Sequence, residues 1–377
     1  SLRADPSGVR LSLMNPEAKS GPDGASGGPD APSAPRTGSL ILTVTRACNL
    51  RCSYCPTAKD GWPSLTPDDA RHAIRLFAGR YGGGDIKMFG GEPLLVPDVV
   101  RAAMEAARDE PRIRRVYLST NALGLDLDWL RYLRAYPKGI LTISMDGTPA
   151  DHRRMRRALP GTRDAYDHVL SLLPELMRTP RVVVTQTIAP ATAGRAGANF
   201  QHLRDLGFWR FNLLPGYYIP WSEAQIQRLG RSLGDIRAQI EEAWARGDRL
   251  YLRNLFTWAP TPFFNTGLVV DADRTIHPTN IGLSGALDGT RSRTACGTLD
   301  DPPTPATLVD KARAVNVLLE EVLPPRAWES TQAVDRLLSA LCRSLYPAYL
   351  ADRKRRRTAR APAAVPAQGT RKRLTRP

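Results

Sequence analysis

Short apolar runs alternate with longer amphipathic stretches between residues 39 and 245. Six runs, at 39–45, 85–89, 115–118, 140–145, 181–188 and 210–214, combine apolar and β-branched residues and read as short strands. The stretches between them carry helical spacing. Thr66 followed by Pro67 supplies an N-cap and a proline at the first helical position, with Ile74 and Phe77 on the apolar stripe. Further helices are predicted near 96–108, 127–135, 163–176 and 198–206. Ser222 and Gln225 form a capping box ahead of a long helix whose Ile226, Leu229, Leu233, Ile236 and Ile240 share one face. Near the end, Leu338, Cys342 and Leu345 share the buried face of a helix over 330–346.

Six strands alternating with helices predict an α/β fold with a parallel sheet and crossover helices. Two architectures satisfy the pattern, an open doubly wound sheet and part of a (β/α) barrel. In both, ligands gather at the carboxyl ends of the strands.

Composition adds ends to this middle. The chain has 377 residues, 32 prolines and 30 glycines, and residues 1–38 are rich in Gly, Pro, Ser and Asp. Such a segment buries too little apolar surface to offset its ordering entropy and is expected to be disordered. The net charge is +16, of which residues 351–377 supply +9, ten Lys/Arg against one Asp. The basic tail, expected to be disordered over 353–377, lacks interleaved aromatics for stacking on bases, so nucleic acid is not the expected partner. Five cysteines, an odd number with three clustered, do not form a disulfide framework. No apolar run is long enough for a membrane span and no signal-like start is evident, so a soluble, cytoplasmic protein is expected.

The cluster is Cys48-x3-Cys52-x2-Cys55, directly after the first strand. Three thiolates on one loop can hold three irons of a cubane and leave the fourth without a protein ligand. A zinc site or a ferredoxin-like remnant are the other uses of such a triad. The loop, with Asn49 and Leu50 inside it and Tyr54 before the third cysteine, resembles the signature loop of the radical S-adenosylmethionine (radical SAM) enzymes. Gly90-Gly91-Glu92-Pro93 after the second strand resembles the family's glycine-rich segment beside the methionyl amino group, where glycine lets backbone approach a ligand. Asn121 ends strand three, a feature similar to many members of the family. Ser144, Asp146 and Gly147 at the end of strand four, followed by His152 and Arg156, resemble the branch that carries a C-terminal SPASM or twitch extension.

The resemblance implies a partial (β/α)6 barrel over 39–250 holding one [4Fe–4S] cluster on Cys48, Cys52 and Cys55. It places Tyr54, Gly90, Gly91, Glu92, Pro93, Asn121, Ser144 and Arg156 around S-adenosylmethionine, Ser144 at its ribose or carboxylate and Arg156 at its carboxylate. Reductive cleavage to a 5′-deoxyadenosyl radical and hydrogen abstraction from a substrate, a peptide in this branch, would follow, with flavodoxin or ferredoxin as electron donor. A small metabolite is the alternative substrate. A non-catalytic cluster protein binding nucleic acid is a third reading, weakened by the joint presence of the SAM-side motifs.

The last third departs from the pattern. Where relatives read Asp-x-Asp-Gly-x-Ile-Tyr-Pro-Cys, this chain has Arg274 for the glycine and Thr279 for the cysteine. Cys296 and Cys342 alone cannot supply the thiolates of an auxiliary cubane, so 251–300 is expected to be a degenerate SPASM/twitch-like region, followed by helices over 301–352. Tyr217, Tyr218 and Trp221 after strand six could line a substrate site or plug the barrel, and an apolar segment at 258–264 carries the same two options.

Overall fold

The computed structural model describes residues 38–256, 267–284 and 288–360. The expected disordered segment therefore lies outside the described residues except for Gly38, as does the apolar segment at 258–264. In chain order the elements begin β1 (Gly38–Thr45), β2 (Leu50–Cys52), α1 (Pro67–Arg80), β3 (Gly84–Gly90), α2 (Pro97–Arg108), β4 (Ile113–Thr120), α3 (Leu127–Ala135) and β5 (Gly139–Ser144). They continue α4 (Pro149–Met155), β6 (Arg156–Ala158), α5 (Ala165–Ser171), α6 (Leu173–Arg178), β7 (Val182–Ile188), α7 (Ala196–Asp205), β8 (Arg210–Pro215) and α8 (Glu223–Ala245). The remainder is β9 (Tyr251–Leu252), β10 (Leu268–Val270), β11 (Thr275–His277), α9 (Asp288–Thr294), β12 (Gly297–Thr298), α10 (Pro305–Val322) and α11 (Pro325–Arg360).

One ten-stranded sheet runs β12-β11-β10-β1-β3-β4-β5-β7-β8-β9, and β2 pairs with β6 in a separate ribbon. From β1 to β8 the six long strands are parallel and stand in chain order. A doubly wound sheet reverses its order at a switch point; these six strands do not, so the barrel architecture is the one realised. The sheet is curled, since Arg253, just past β9, stacks its guanidinium on Tyr117 of β4, 4.5 Å from the ring centroid.

Strand alternation sorts the two faces. Leu40, Leu42 and Val44 of β1 and Ile86 and Met88 of β3 are buried in the main core, each worth about 1.5–3 kcal/mol of burial. Ile41, Lys87, Ser119, Thr142, Ser144 and Thr185, on the other parity, line an interior cavity.

The predicted caps form. Thr66 Oγ1 accepts from Asp69 N at 3.1 Å while Thr66 N donates back to Asp69 Oδ2 at 3.0 Å. Ser222 and Gln225 do the same at the head of α8, whose Leu229, Leu233, Ile236 and Ile240 are buried. The helix expected over 163–176 is instead two, α5 and α6, broken at Leu172. Pro174, lacking an N–H, takes a place in the first turn of a new helix rather than the interior of an old one. Cys342 lies on the buried face of α11, as its spacing predicts. That helix runs to Arg360, so 353–360, expected as tail, is helical. Among the described residues no helix is long and apolar enough to cross a membrane.

Candidate functional site

The cysteine loop leaves β1 at the carboxyl end of the sheet and is folded by its neighbours. Arg46, buried, forms an ion pair with Asp271 beyond β10, stacks 3.6 Å from the Trp62 ring centroid and donates to Gly282 O at 3.0 Å. The Gly90–Glu92 turn presses on the same stretch. Gly91 N donates to Thr45 O at 2.9 Å and Glu92 N to Ala47 O at 2.8 Å. A Cβ on Gly91 would overlap the Arg46 and Ala47 carbonyl oxygens, and one on Gly90 (φ +131°) the Thr45 oxygen. These glycines thus admit the backbone of the cysteine loop itself, a closer requirement than the ligand approach expected from sequence.

Glu92 is buried and caps the turn that Pro93 opens, accepting from Leu94 N at 3.0 Å, Thr120 Oγ1 at 2.6 Å and Asn121 N at 2.7 Å. Burial raises its carboxyl above the usual range despite these three donors. Asn121 in turn donates to Asn49 Oδ1 at 2.7 Å, with its amide 4.0 Å from Cys48 Sγ. The glutamate is therefore a junction between strand ends and loop, a role its motif did not disclose.

All three cysteines are half-buried and line one wall of a cavity of about 310 Å³. Burial raises the Cys48 thiol and pushes Cys52 up to about 11. At Cys55 burial also acts upward, but Lys59, with Nζ 3.2 Å from Sγ, and contacts from Thr57 outweigh it and the thiol falls below its ordinary value. Among the described residues no three His, Cys, Asp or Glu side chains are arranged to hold one metal ion. Three thiols with no fourth cysteine on the same wall suit a cubane that keeps one iron without a protein ligand.

Beside the loop, where Cys52 stands opposite Arg156 across β2 and β6, Asp146 gathers its neighbours. Arg156 donates through Nε and Nη2 to its two oxygens at 3.1 and 2.9 Å, Tyr54 through its hydroxyl at 2.8 Å, and Thr187 through its backbone N at 3.1 Å. Against the cost of burial, Asp146 keeps the Arg156 guanidinium charged. Nη1 of Arg156 makes no hydrogen bond to a described residue, and the side chain lines the cavity. Ser144 lines it as well. His152 is buried, its Nδ1 accepting from Asp146 N at 3.4 Å, and burial lowers it to about 4. The family resemblance marks Arg156 and Tyr54 and gives Asp146 less weight; the three partners that converge on Asp146 come from separate segments.

The loop after β8 does both things its aromatics allow. Tyr217 and Tyr218 line the cavity, while Trp221 is buried and donates to Gly216 O at 2.8 Å. Ser330 and Thr331 of α11 accept from Trp221 N at 2.9 Å and Tyr218 N at 2.8 Å, fixing the loop.

The region expected to be degenerate is closed. Arg274 occupies the hairpin between β10 and β11 at φ +71°, where glycine is at ease. Its contacts with Asp300 and Asp69 offset that strain. Thr279 is buried, His277 Nδ1 pairs with Thr294 Oγ1 at 3.0 Å, and Cys296 Sγ donates to Ile276 O at 3.3 Å. Burial raises Cys296 to about 11.

Residues 42–190 match the Radical SAM superfamily. The GTP 3′,8-cyclase of Mycolicibacterium smegmatis is 36% identical over 124 residues, 29% of this chain and 33% of that protein, so the likeness spans about a third of the curated relative. The structure of anSMEcpe with AdoMet and the Cp18Cys peptide superposes with a TM-score of 0.63 at 15% identity, covering 80% of this chain and 98% of that one. Streptococcus suis SuiB bound to its precursor peptide SuiA gives 0.51 at 13% identity, covering 66% and 60%. These likenesses are of fold. The matched segment holds the cysteine loop, and enzymes of the radical SAM superfamily use a [4Fe–4S] cluster and S-adenosylmethionine and draw on a reductant.

Proposed function

We propose that this chain is a radical SAM enzyme that removes hydrogen from a peptide substrate held in the barrel cavity. The observation that carries this reading is a single cavity bordered at once by Cys48, Cys52, Cys55, the Gly90–Glu92 turn, Ser144 and Arg156. The three cysteines hold the cluster, and Tyr54, Gly90, Gly91, Glu92, Pro93, Asn121, Ser144 and Arg156 border S-adenosylmethionine. When bound, these groups supply a one-electron reductive cleavage and a radical able to take hydrogen.

The chain's own residues position and shield. Arg156 Nη1 offers two donors to a carboxylate, and Asp146 fixes their direction by occupying the rest of the guanidinium. Glu92, bonded three times over, holds the turn against the loop. Tyr217 and Tyr218 exclude water from the wall that α11 supports. Flavodoxin or ferredoxin fits the need for an electron donor.

Peptide is favoured because the barrel shared with anSMEcpe, described with a peptide bound, extends over most of this chain. A small metabolite is the second reading, favoured by the modest cavity and the likeness to the cyclase. Anaerobic reconstitution tests the enzyme: about four irons per chain and 5′-deoxyadenosine under strong reductant are expected, both lost in Cys52→Ala. A preparation that takes up no cluster under any condition overturns the reading. Mass change in a short peptide encoded beside the gene supports the peptide; turnover of a metabolite with no change in such peptides replaces it.

A further inference from the structure

Among the described residues, Arg51, Lys59 and Arg156 bring cations to the cysteine loop, and their charges are directed differently. Arg156 is paired with Asp146. Arg51 donates to Cys48 O at 2.9 Å and is paired with Asp60 at 3.0 Å. Lys59, half-buried, directs its ammonium at sulfur: Nζ donates to Cys55 Sγ at 3.2 Å and to Thr57 O at 3.2 Å.

The segment that carries Lys59 is pinned on both sides of it. Thr57 bridges Ser284, and Ala58 N donates to Leu283 O at 3.0 Å, which ties the chain to the turn after β11. The next residue, Asp60, is held by Arg51. Between these two ties the lysine reaches back to Cys55 and lines the same cavity as the three cysteines. The proposed function uses Cys55 as an iron ligand and gives this contact no role.

A sulfur bound to iron still accepts hydrogen bonds. Reduction adds negative charge to a cluster and its sulfurs, so a cationic donor favours the reduced state over the oxidised one. Net charge and hydrogen bonds to the sulfurs are among the features that set the potential of a cluster of given type. Arg51 and Arg156 act on the loop beside their own carboxylates, so each pair brings no net charge. Lys59 brings a whole one.

We infer that Lys59 acts through Cys55 to raise the reduction potential of the bound cluster, so that a milder donor suffices to reduce it. The inference rests on the proposed function, since it needs a cluster on Cys48, Cys52 and Cys55, and it extends the site to a residue beyond the cysteine spacing.

The test is a redox titration of the reconstituted full chain without S-adenosylmethionine, with the reduced cluster followed by electron paramagnetic resonance. Lys59→Met removes charge and donor together and should lower the reduced-to-oxidised ratio at a fixed potential about tenfold, a shift of about 59 mV for one electron. Lys59→Gln, which keeps a neutral donor, should fall between, and Lys59→Arg should stay near the wild-type value. An unchanged or higher potential in Lys59→Met, at about four irons per chain, overturns the inference. If Lys59→Met takes up no cluster, the wild-type chain decides. Grown with lysine isotopically labelled at the ε-nitrogen, its reduced cluster should show a nitrogen coupling in pulsed resonance spectra that Lys59→Arg lacks; no such coupling overturns the inference. Iron content and S-adenosylmethionine cleavage are measured on the same wild-type preparation. A preparation that cleaves S-adenosylmethionine while all variants share one potential sinks the role of Lys59 alone, and a wild-type chain that takes up no cluster sinks the enzymatic reading with it.

Discussion

Two regions of this chain place cysteine beside a strand, and only one of them is open. At the barrel mouth, Cys48, Cys52 and Cys55 line a cavity, and their surroundings hold the loop without consuming all three sulfurs. In the β10–β11 hairpin region, Cys296 donates to Ile276 O, His277 pairs with Thr294, and Thr279 is buried. In the first region Cys48 Sγ accepts from Leu50 N and Cys55 Sγ from Lys59 Nζ, and all three cysteines border the cavity. In the second, Cys296 Sγ and His277 Nδ1 are bonded internally, while His277 Nε2 and Thr279 Oγ1 are buried with no described partner. The two regions differ less in residue types than in access, since Cys48, Cys52 and Cys55 border a cavity whose lining does not include Cys296.

The sharpest way to break this contrast is at the thiols. Cys52→Ala should abolish cluster uptake; iron near the wild-type value would remove the distinction. Next comes the polar wall. Asp146→Asn strands the buried Arg156 without its counter-charge and should cost about 3–5 kcal/mol, read by urea unfolding; a loss under about 1 kcal/mol, the level of a surface pair, would show that the pair does not organise this side. Gly91→Ala forces a Cβ against the Arg46 and Ala47 carbonyls and should cost about 1–3 kcal/mol, with slower cluster uptake. Unchanged melting and uptake would mean the two backbones are not in contact.

The hairpin region answers to pH. His277, lowered to about 4 by burial, is favoured in its neutral form by the fold. Its stabilising contribution is present above the ordinary histidine value and is lost as the pH falls through about 6.5 toward 4. His277→Asn should flatten part of that acid limb in unfolding experiments, with iron content unchanged; an identical limb would place the lost stability elsewhere, with His152 the first alternative. The smallest effect is expected at Cys296→Ser, which should leave iron per chain where it was. A drop of several irons would reopen the hairpin as a cluster site.

Much of the barrel was legible because its signals are local. Strand alternation, the caps at Thr66 and Ser222 and the Cys48–Cys55 spacing each depend on residues within one turn or one strand. The helix break at Leu172 was legible too, in Pro174, had its missing N–H been weighed against the apolar stripe. The substrate side was not. Asp146 matters because Tyr54, Arg156 and Thr187 arrive from three segments, and Arg253 meets Tyr117 only because the sheet curls.

The bonds from Gly91 and Glu92 to Thr45 and Ala47, continued through Thr120 and Asn121 to Asn49, tie the cysteine loop to β1, β3 and β4 together. Assembly order follows from that tie. The loop reaches its shape only after these three strands have docked, so cofactor loading is a late event that reports on a completed half-barrel. By mass action the bound group then stabilises all three strands as one cooperative unit, and its loss by oxidation would loosen the fold from the mouth inward.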